Sequence, residues 1–480
     1  MKNFIKSKTI IGMLWNFFEK ASTQIVSFVI GIILARLLSP DDYGIIAMLT
    51  IFIALSQIFI DSGFSNALIQ RQDRTETDFS TVFFFNFVIS IVIYVILFLF
   101  APLIAHFYRT PILLQLTRVL FLIIIFNSFT VVQNARLMIA VDFKKIALVN
   151  FVSVVISGVI GIISAYNNYG VWSLVIQSLV RSIVSMVLFW IVGCWRPTQK
   201  ISFQSFKRLF SFGSKLLLAG TLATIFNNIY SIVIGKIYQS KQLGFYTRAQ
   251  QFAQLPSGLI ASVLQTSTFP LLTSLQNDRS KLLEVYKRLL RITAIFVFPI
   301  MTGIALLSKH IIIVLLTDKW LPSADLLFWA ALTYLFYPLS ALNLNLANAI
   351  GSSGLFLKLD MSKMPMILIA MIITFPISIK AIVIGNFITA FISYLINAYV
   401  PKCIFSYGVL KQTFDEKNII ISTFIMAVFL IIFVRMIRSN ILVLVFGIPL
   451  GMFVYGISLF LLKEEEMCNI ITKFNKKDRV

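Results

Sequence analysis

Charged side chains stand inside two stretches of this chain that are otherwise apolar enough to cross a lipid bilayer. The stretches lie between Asn16 and Asp61 and are joined by a short turn at residues 39–44. Glu19 and Lys20 fall near the middle of the first stretch, and Asp61 falls late in the second. A charge at the bilayer centre costs roughly 2.5–3.5 kcal/mol on insertion scales, so such residues usually face a bundle interior or a water-filled cavity.

The polar residues of each stretch recur every three or four positions, which places them on one face of a helix. On the first helix they are Asn16, Glu19, Lys20, Thr23, Gln24 and Ser27, and on the second they are Thr50, Gln57, Asp61 and Ser65. Each helix therefore carries one polar stripe on an apolar surface. Two such helices predict a hydrophilic path or cavity inside the membrane.

A weak copy of this arrangement occurs two hundred residues later. Residues 35–44 align with residues 235–244 through the basic residue, the apolar residue after it and the closing glycine. The helices on either side of the second turn are also striped. Their polar and small residues are Ser214, Thr221, Thr224, Asn228, Ser231 and Gly235 before the turn and Thr247, Gln251, Gln254, Gly258, Ser262 and Gln265 after it. Internal duplication in a polytopic membrane protein is typical of a transporter built from two halves around a central site.

The composition indicates an integral membrane protein. Of 480 residues, 59% are hydrophobic and 12% charged, whereas about a quarter of the residues of soluble domains are charged. The net charge of +22 is concentrated in loops, which favours topology determinants and contact with anionic headgroups over nucleic-acid binding. Three scattered cysteines and two histidines form no catalytic, phosphate-binding or metal motif, so we predict no enzyme, cofactor or metal site.

Apolar length predicts an all-α polytopic membrane protein with about fourteen transmembrane helices. They lie at about 9–38, 44–68, 78–104, 112–138, 146–166, 168–193, 206–237, 244–272, 283–308, 322–349, 355–378, 380–406, 416–437 and 441–463. The segment 311–316 is too short to span and is placed in a loop. Lysine and arginine are concentrated in the loops on the side of the termini, which predicts that both termini are cytoplasmic. The basic loop at 195–206 divides a lobe at 1–195 from one at 196–410, and residues 411–480 contain two extra helices and a tail.

A set of short motifs distributed over about residues 8–410 resembles one family. The motifs are GIILARLLSPDDYGIIAM, DSGFSNALIQRQDRTETDFSTVFFFN, APLIAHFY, VDFKK, YGVWSLVIQ, WRP, FGSKLL, VIGKIY, LGFYTRAQ, TDKWLPSADLL and NLNLANAIGSSG. Together they resemble Wzx-type polysaccharide flippases of the multidrug/oligosaccharidyl-lipid/polysaccharide exporter superfamily. NAIGSSG stands where relatives would carry GRSD, so no charged contact is assigned there.

The resemblance implies two pseudo-symmetric six-helix lobes plus two C-terminal helices. It implies a carrier that moves undecaprenyl-diphosphate-linked oligosaccharide to the outer leaflet of a bacterial inner membrane, for O-antigen, capsule or exopolysaccharide synthesis. The carrier would work by alternating access, coupled to a proton or sodium gradient. Membrane lipids and polysaccharide polymerase machinery would be its partners.

Such a substrate needs cations for its phosphates, hydroxyl or amide groups for its sugars and a lipid-open seam for its tail. The candidate phosphate ligands are Lys20, Arg181, Lys215 and Arg248, and the candidate sugar ligands are Asn16, Gln24, Gln57, Asn227, Asn228, Gln250, Gln251 and Gln254. Glu19 and Asp61 are the candidates for ion coupling, because an embedded carboxylate can have its pKa raised. Pairing of Lys20 with Glu19 or Asp61, snorkelling of the cations and hydrogen bonds between helices are the structural alternatives.

Four other functional classes remain to be weighed. A lipid II flippase of the same superfamily also has fourteen spans, and only the motif set argues against it. A drug/cation antiporter of the superfamily usually has twelve. A membrane polysaccharide polymerase, ligase or glycosyltransferase would need a larger external loop or a soluble catalytic domain, and a channel would need a filter-like repeated loop, which we do not find.

Overall fold

A computed structural model describes residues 22–61, 64–71, 73–464 and 466, and within these ranges the regular structure is helical. Nineteen α-helices follow one another in this part of the chain. They are α1 (Ser22–Leu37), α2 (Pro40–Asp61), α3 (Phe64–Gln70), α4 (Glu76–Tyr108), α5 (Leu113–Leu120), α6 (Leu122–Ile139), α7 (Phe143–Tyr166), α8 (Trp172–Gly193), α9 (Phe203–Ser274), α10 (Arg279–Leu306), α11 (Ser308–Leu316), α12 (Pro322–Leu335), α13 (Tyr337–Ala349), α14 (Ser353–Thr374), α15 (Ile379–Asn397), α16 (Tyr399–Phe405), α17 (Val409–Asp415), α18 (Lys417–Met436) and α19 (Asn440–Leu461).

Ten helical segments among the described residues are long and apolar enough to cross a membrane. They are α2, α4, the pair α5–α6, α7, α8, α10, the pair α12–α13, the pair α15–α16, α18 and α19. Each coincides with one of the predicted spans, so the predicted all-helical membrane architecture is confirmed at this level. The full count of fourteen stays a prediction, since α1, the two parts of α9 and α14 are outside the ten.

The 72-residue helix α9 corresponds to two predicted spans and the turn between them. At 1.5 Å per residue it is far longer than one bilayer crossing. Gln239 interrupts it with φ 67° and ψ 173°, a conformation that non-glycine residues adopt at a cost. The turn expected between 237 and 244 is therefore a sharp bend at Gln239 with helical backbone on both sides.

The boundaries of α2 correct the predicted turn at residues 39–44. The helix begins at Pro40, because Ser39 and Asp42 form a reciprocal N-terminal cap. The amide of Asp42 donates to Ser39 Oγ at 3.2 Å, and the amide of Ser39 donates to Asp42 Oδ2 at 2.8 Å. Proline fits the first helical position, where no amide hydrogen bond is needed, and Asp41 and Asp42 favour the positive end of the helix dipole.

The described residues of the predicted span 44–68 are helical, within α2 and α3. One further prediction of helix extent was wrong in detail. The segment 311–316, placed in a loop, is helical within the nine-residue α11. A helix of this length is only about 14 Å long, so it is still too short to span.

The chain divides into two compact units, Met1–Gly244 and Phe245–Val480. In the first unit, buried Phe79, Val132 and Trp195 belong to one apolar cluster. Trp195 Nε1 donates to Glu76 Oε2 at 2.7 Å, so the start of the basic loop is tied to the beginning of α4. The predicted lobe boundaries at 195 and 410 stay predictions.

In the second unit, α18 and α19 pack on α10. Buried Ala294 and Ile295 of α10 share a cluster with Ile419 and Met426 of α18 and with Tyr455 of α19. The hydroxyl of Tyr455 donates to the carbonyl of Ile295 at 2.9 Å. Because a buried hydroxyl is costly to leave unpaired, this bond helps to fix α19 against α10.

Candidate functional site

Part of the predicted site cannot be located in this structure. Asn16, Glu19 and Lys20 lie outside the described residues. Lys215 belongs to α9, but its side chain is not among those described. The remaining candidates are distributed over both units and are described unit by unit.

In the first unit, three polar side chains of α2 and α6 form a hydrogen-bonded line. Gln57 Nε2 donates to Asp61 Oδ1 at 3.4 Å. Asn127 Nδ2, from α6, donates to Gln57 Oε1 at 3.3 Å. Gln57 and Asp61 are one turn apart and half-buried, as their spacing predicted. The line places a carboxylate and two amides between apolar helices, where they can bind a cation, a proton or a sugar hydroxyl.

Asn127 was not among the predicted residues. It lies in the run 122–130, which is apolar except for Asn127, Ser128 and Thr130. A lone amide in such a run costs free energy unless it is hydrogen-bonded. This cost is a sequence signal that Asn127 has a hydrogen-bond partner. The partner on α2 is 70 positions away, so spacing could not identify it.

Other candidates of the first unit lie at its surface or bond within their own helix. Gln24 of α1 and Arg181 near the middle of α8 have exposed side chains. Asn228 of α9 donates through Nδ2 to the carbonyl of Thr224 at 2.9 Å, one turn earlier in the same helix. The carboxamide oxygen of Asn228 has two lone pairs that this bond does not use.

Two candidates of the second unit, Arg248 and Gln251, lie together near the start of the part of α9 that belongs to this unit. Arg248 is 6% exposed, and its Nη1 donates to Gln251 Oε1 at 2.5 Å. The guanidinium also lies over the Trp320 ring, 6.0 Å from the centroid. Gln251 and, one turn further on, Gln254 are exposed. The arrangement buries the cation beside an aromatic face and leaves the amides accessible.

An ion pair within α14 is a second feature that the sequence analysis missed. Lys363 is 8% exposed, and its Nζ lies 2.7 Å from Asp360 Oδ1. The two residues are separated by about one turn, and Lys363 is close to the middle of the 22-residue helix. The sequence KLDMSKM contains a signal for this pair, because Asp360 and Lys363 are three positions apart and such residues are neighbours on the surface of a helix.

An apolar groove in the second unit is bounded by α10, α11, α18 and α19. Its volume is about 620 Å³, within the range of roughly 300–1,000 Å³ that is typical of small-molecule sites. Phe296, Pro299, Gly303, Gly447, Gly451 and Gly456 are among its lining residues. The Tyr455 hydroxyl, a polar group in the lining, is already bonded to Ile295. The groove therefore suits a hydrocarbon chain rather than a polar ligand.

Among the described residues, no group of three histidine, cysteine, aspartate or glutamate side chains could hold a metal ion. Comparison with known proteins then assigns the chain to a family. Residues 33–325 match the family described as "Polysaccharide biosynthesis protein". The chain belongs to this family.

Several curated proteins are distant relatives of this chain. The teichuronic acid biosynthesis protein TuaB of Bacillus subtilis is 24% identical over 67% of this chain and 67% of its own length. The succinoglycan biosynthesis transport protein ExoT of Rhizobium meliloti is 26% identical over 64% of this chain and 62% of its own length. The lipopolysaccharide biosynthesis protein WzxC of Escherichia coli is 24% identical over 66% of this chain and 65% of its own length. The matches span about two thirds of each relative, and the predicted likeness to Wzx-type polysaccharide flippases is confirmed.

Solved structures show the fold of this family member. The lipid II flippase MurJ in an inward closed conformation matches with a TM-score of 0.77 and 17% identity. The match covers 95% of this chain and 100% of the MurJ chain. An inward-facing MATE multidrug transporter of the MOP superfamily has a TM-score of 0.62 and 16% identity, covering 80% of this chain and 96% of its own. At these identities the likeness establishes the fold alone.

Proposed function

We propose that this protein translocates undecaprenyl-diphosphate-linked oligosaccharide across the bacterial inner membrane by alternating access. It is a carrier rather than an enzyme, and it supplies repeat units for O-antigen, capsule or exopolysaccharide assembly. The observation that carries the proposal is the coexistence of a polar intramembrane line and an apolar groove in a polysaccharide biosynthesis protein. These two surfaces match the two chemically different ends of a lipid-linked sugar.

Polar side chains within the units would receive the head of the substrate. Gln57 and Asn127 present amide groups suited to sugar hydroxyls, and Arg248 and Gln251 form a second polar group. Lys363 adds a cation near the middle of α14. A phosphate could take the place of Asp360 as its partner, since phosphates and carboxylates bind an ammonium through the same charge-assisted hydrogen bonds. Lys20, Arg181 and Lys215 remain proposed phosphate ligands, with Asn16, Gln24, Asn228 and Gln254 as proposed sugar ligands.

The groove beside α18 and α19 would hold part of the polyprenyl tail. Lipid already keeps the tail away from water, so the groove would act through close packing that fixes the position of the tail while the head crosses. Gly303 and Gly456 have open space where a side chain would begin, so the groove is not closed by packing at those points. The two C-terminal helices would thus serve substrate binding.

The proposed topology has fourteen spans and both termini in the cytoplasm. The six-helix lobes would be residues 1–195 and 196–410, followed by the helix pair and tail of residues 411–480. Asp61, hydrogen-bonded to Gln57, and Glu19 would couple transport to a proton or sodium gradient. A polysaccharide polymerase would consume the product on the outer side.

Complementation tests this proposal. The gene is introduced into bacterial strains that lack either their polysaccharide flippase or their lipid II flippase. Lys20→Ala and Lys215→Ala are compared with Lys309→Ala, a matched control because Lys309 is exposed at the start of α11. We expect surface polysaccharide to return only in the first strain and only with wild type and the control.

Rescue of the lipid II strain alone would contradict the proposed substrate class. Lys20 and Lys215 variants that work as well as wild type would remove them from the site and leave transport intact. If neither strain is rescued, purified protein in liposomes with labelled lipid-linked sugars decides the question. Absence of translocation for every lipid-linked sugar tested there would overturn the proposal.

A further inference from the structure

A dense group of titratable side chains lies in the second unit, away from the polar groups described above. It occupies the junction between α17 and α18, where Glu416 is 3% exposed. Buried Gln412, which is 0% exposed, belongs to the same junction. Charged residues are almost never fully buried unless they are paired. A carboxyl group enclosed at a helix junction therefore calls for a physical explanation.

Hydrogen bonds connect this junction to neighbouring helices. Tyr394 of α15 donates to Gln412 Oε1 at 3.1 Å, and Gln412 Nε2 donates to the carbonyl of Tyr407 at 3.4 Å. Tyr407 donates to Asp415 Oδ2 at 2.8 Å. Lys287 of α10 forms an ion pair with the same oxygen at 3.2 Å. The neighbours of Glu416 are thus held in fixed positions by α10 and α15.

The buried Oε1 atom of Glu416 takes no part in these bonds: it accepts no hydrogen bond from the described residues. Its side chain also makes no capping bond to α18. The titratable and charged groups that face it come from α10, from α15, from the segment 407–415 and from the end of α19. They are Tyr286 and Arg291, Tyr394, Tyr407 and Asp415, and Glu464.

The segment after α19 closes the junction from the other side. Asn418 Nδ2 donates to the carbonyl of Leu462 at 3.2 Å. Arg288 Nε, from α10, donates to Glu466 Oε2 at 3.1 Å, and Glu466 is 6% exposed. The beginning of α18 and the end of α19 are therefore both attached to α10 around Glu416.

We propose that Glu416 is a proton-binding site, and that its proton clamps the helix pair α18–α19 onto the rest of the second unit. With the proton bound, the junction holds a neutral carboxyl group between Asp415 and Glu464. Without it, the buried Glu416 carboxylate is repelled by Glu464 and by Asp415, which is paired with Lys287, while Arg291 attracts it. Repulsion and desolvation then favour an open junction in which water reaches Glu416.

The electrostatics of the junction agree with this geometry. Burial first, and then the charge of Asp415, raises the pKa of Glu416 from its ordinary value of 4.5; Arg291 lowers it, Glu464 raises it slightly, and the net pKa is about 8. In the open junction the pKa returns toward 4.5, so the closed form binds the proton more tightly. By linkage, the closed form is fully favoured at low pH and loses that advantage as the pH rises through about 8. The switch therefore operates close to neutral pH.

Distance measurements between two spin labels test the clamp. Leu410 on α17 and Leu461 at the end of α19 are 87% and 71% exposed, so cysteines there accept labels, in a protein whose Cys194, Cys403 and Cys468 are replaced by serine. The full-length protein is placed in lipid nanodiscs and measured from pH 6 to pH 9.5. We expect one narrow distance distribution at low pH and a broader one at high pH, with a midpoint near 8.

Glu416→Gln keeps the junction neutral and should show the low-pH distribution at every pH. Glu284→Gln is the control, because Glu284 is an exposed carboxylate on α10, and it should leave the midpoint unchanged. Arg291→Gln should raise the midpoint and Asp415→Asn should lower it, each by about one pH unit. These opposite shifts keep the proposal testable even if Glu416→Gln does not fold. An unchanged wild-type distribution, a transition that survives in Glu416→Gln, or two shifts of the same sign would overturn it.

Discussion

Gly44 of α2 and Gly244 of α9 pack in a reciprocal arrangement, each against the backbone of the other repeat. A Cβ atom on Gly44 would lie 1.7 Å from the carbonyl oxygen of Ser240, and a Cβ atom on Gly244 would lie 1.9 Å from the carbonyl oxygen of Pro40. In the internal repeat, residue 40 aligns with 240 and residue 44 with 244. Each repeat therefore makes the same contact with the other, as expected for elements related by a pseudo-two-fold axis.

We predict that Gly44→Ala and Gly244→Ala both disrupt this contact, because the obstructing atoms belong to the backbone and cannot rotate away. Overpacking in a fixed environment typically costs about 1–3 kcal/mol in the free energy of unfolding. Thermal unfolding of the purified variants and polysaccharide complementation measure the loss. Gly354→Ala, with open space at its Cβ position, serves as the control and should behave as wild type. Two alanine variants that retain full stability and transport would show that this backbone contact is not required.

A second prediction concerns Asp61 in the polar line. Asp61→Asn keeps the shape and the hydrogen bond from Gln57 but removes the charge and the titratable proton. If Asp61 couples transport to an ion gradient, the variant should lose most gradient-driven translocation while still binding substrate. Translocation of labelled lipid-linked sugar into liposomes, with and without a proton or sodium gradient, measures this.

The control for Asp61 is Asp325→Asn, which removes a carboxylate that is 73% exposed in a surface ion pair with Lys380. Exposed pairs contribute roughly 0–1 kcal/mol, so this variant should transport normally. Equal stimulation of wild type and Asp61→Asn by the gradient would exclude Asp61 from ion coupling.

Local features of this structure followed from the sequence where short-range physics decides them. Apolar length located the ten spans, and a spacing of four placed Gln57 beside Asp61. The sequence predicts a turn that closes at Gly44, but α2 begins at Pro40, because Ser39 and Asp42 have the spacing of a reciprocal cap. The bend at Gln239 was expected from the repeat, but its sharpness depends on a backbone conformation that glutamine rarely adopts.

Long-range partners could not be predicted in this way. Asn127 meets Gln57 only because α6 packs against α2, and no periodic pattern connects positions 70 apart. The enclosure of Glu416 likewise results from α10, α15 and the end of α19 converging on one junction. Asp360 and Lys363 could have been found from their spacing, since the pair lies within one helix.

A third prediction concerns the apolar groove. Gly456 has open space at its Cβ position, so Gly456→Ala, Gly456→Leu and Gly456→Phe should fill the groove progressively without disturbing the backbone. If the groove holds the polyprenyl tail, translocation of long-chain substrate should fall along this series while that of a short-chain analogue stays constant. Comparing both substrates in the same liposomes separates tail binding from a general loss of fold. Equal losses for both substrates, or none with Gly456→Phe, would argue against tail binding.

The last prediction distinguishes a structural role of the Lys363–Asp360 pair from a role in binding. Lys363→Met alone leaves Asp360 without its partner in α14, and Asp360→Asn alone leaves Lys363 without its partner. Removing one partner of a buried pair costs about 3–5 kcal/mol, an upper limit here because the Asp360 side chain is 42% exposed.

Both single variants should therefore be less stable than wild type, and the double variant should recover stability because no unpaired charge remains. If the ammonium of Lys363 binds the diphosphate, transport should stay low in Lys363→Met and in the recovered double variant, while Asp360→Asn should retain part of its transport. Thermal stability and translocation, measured on the same four proteins, form a complete double-mutant cycle. Recovery of transport together with stability in the double variant would mean that the pair only holds α14 together.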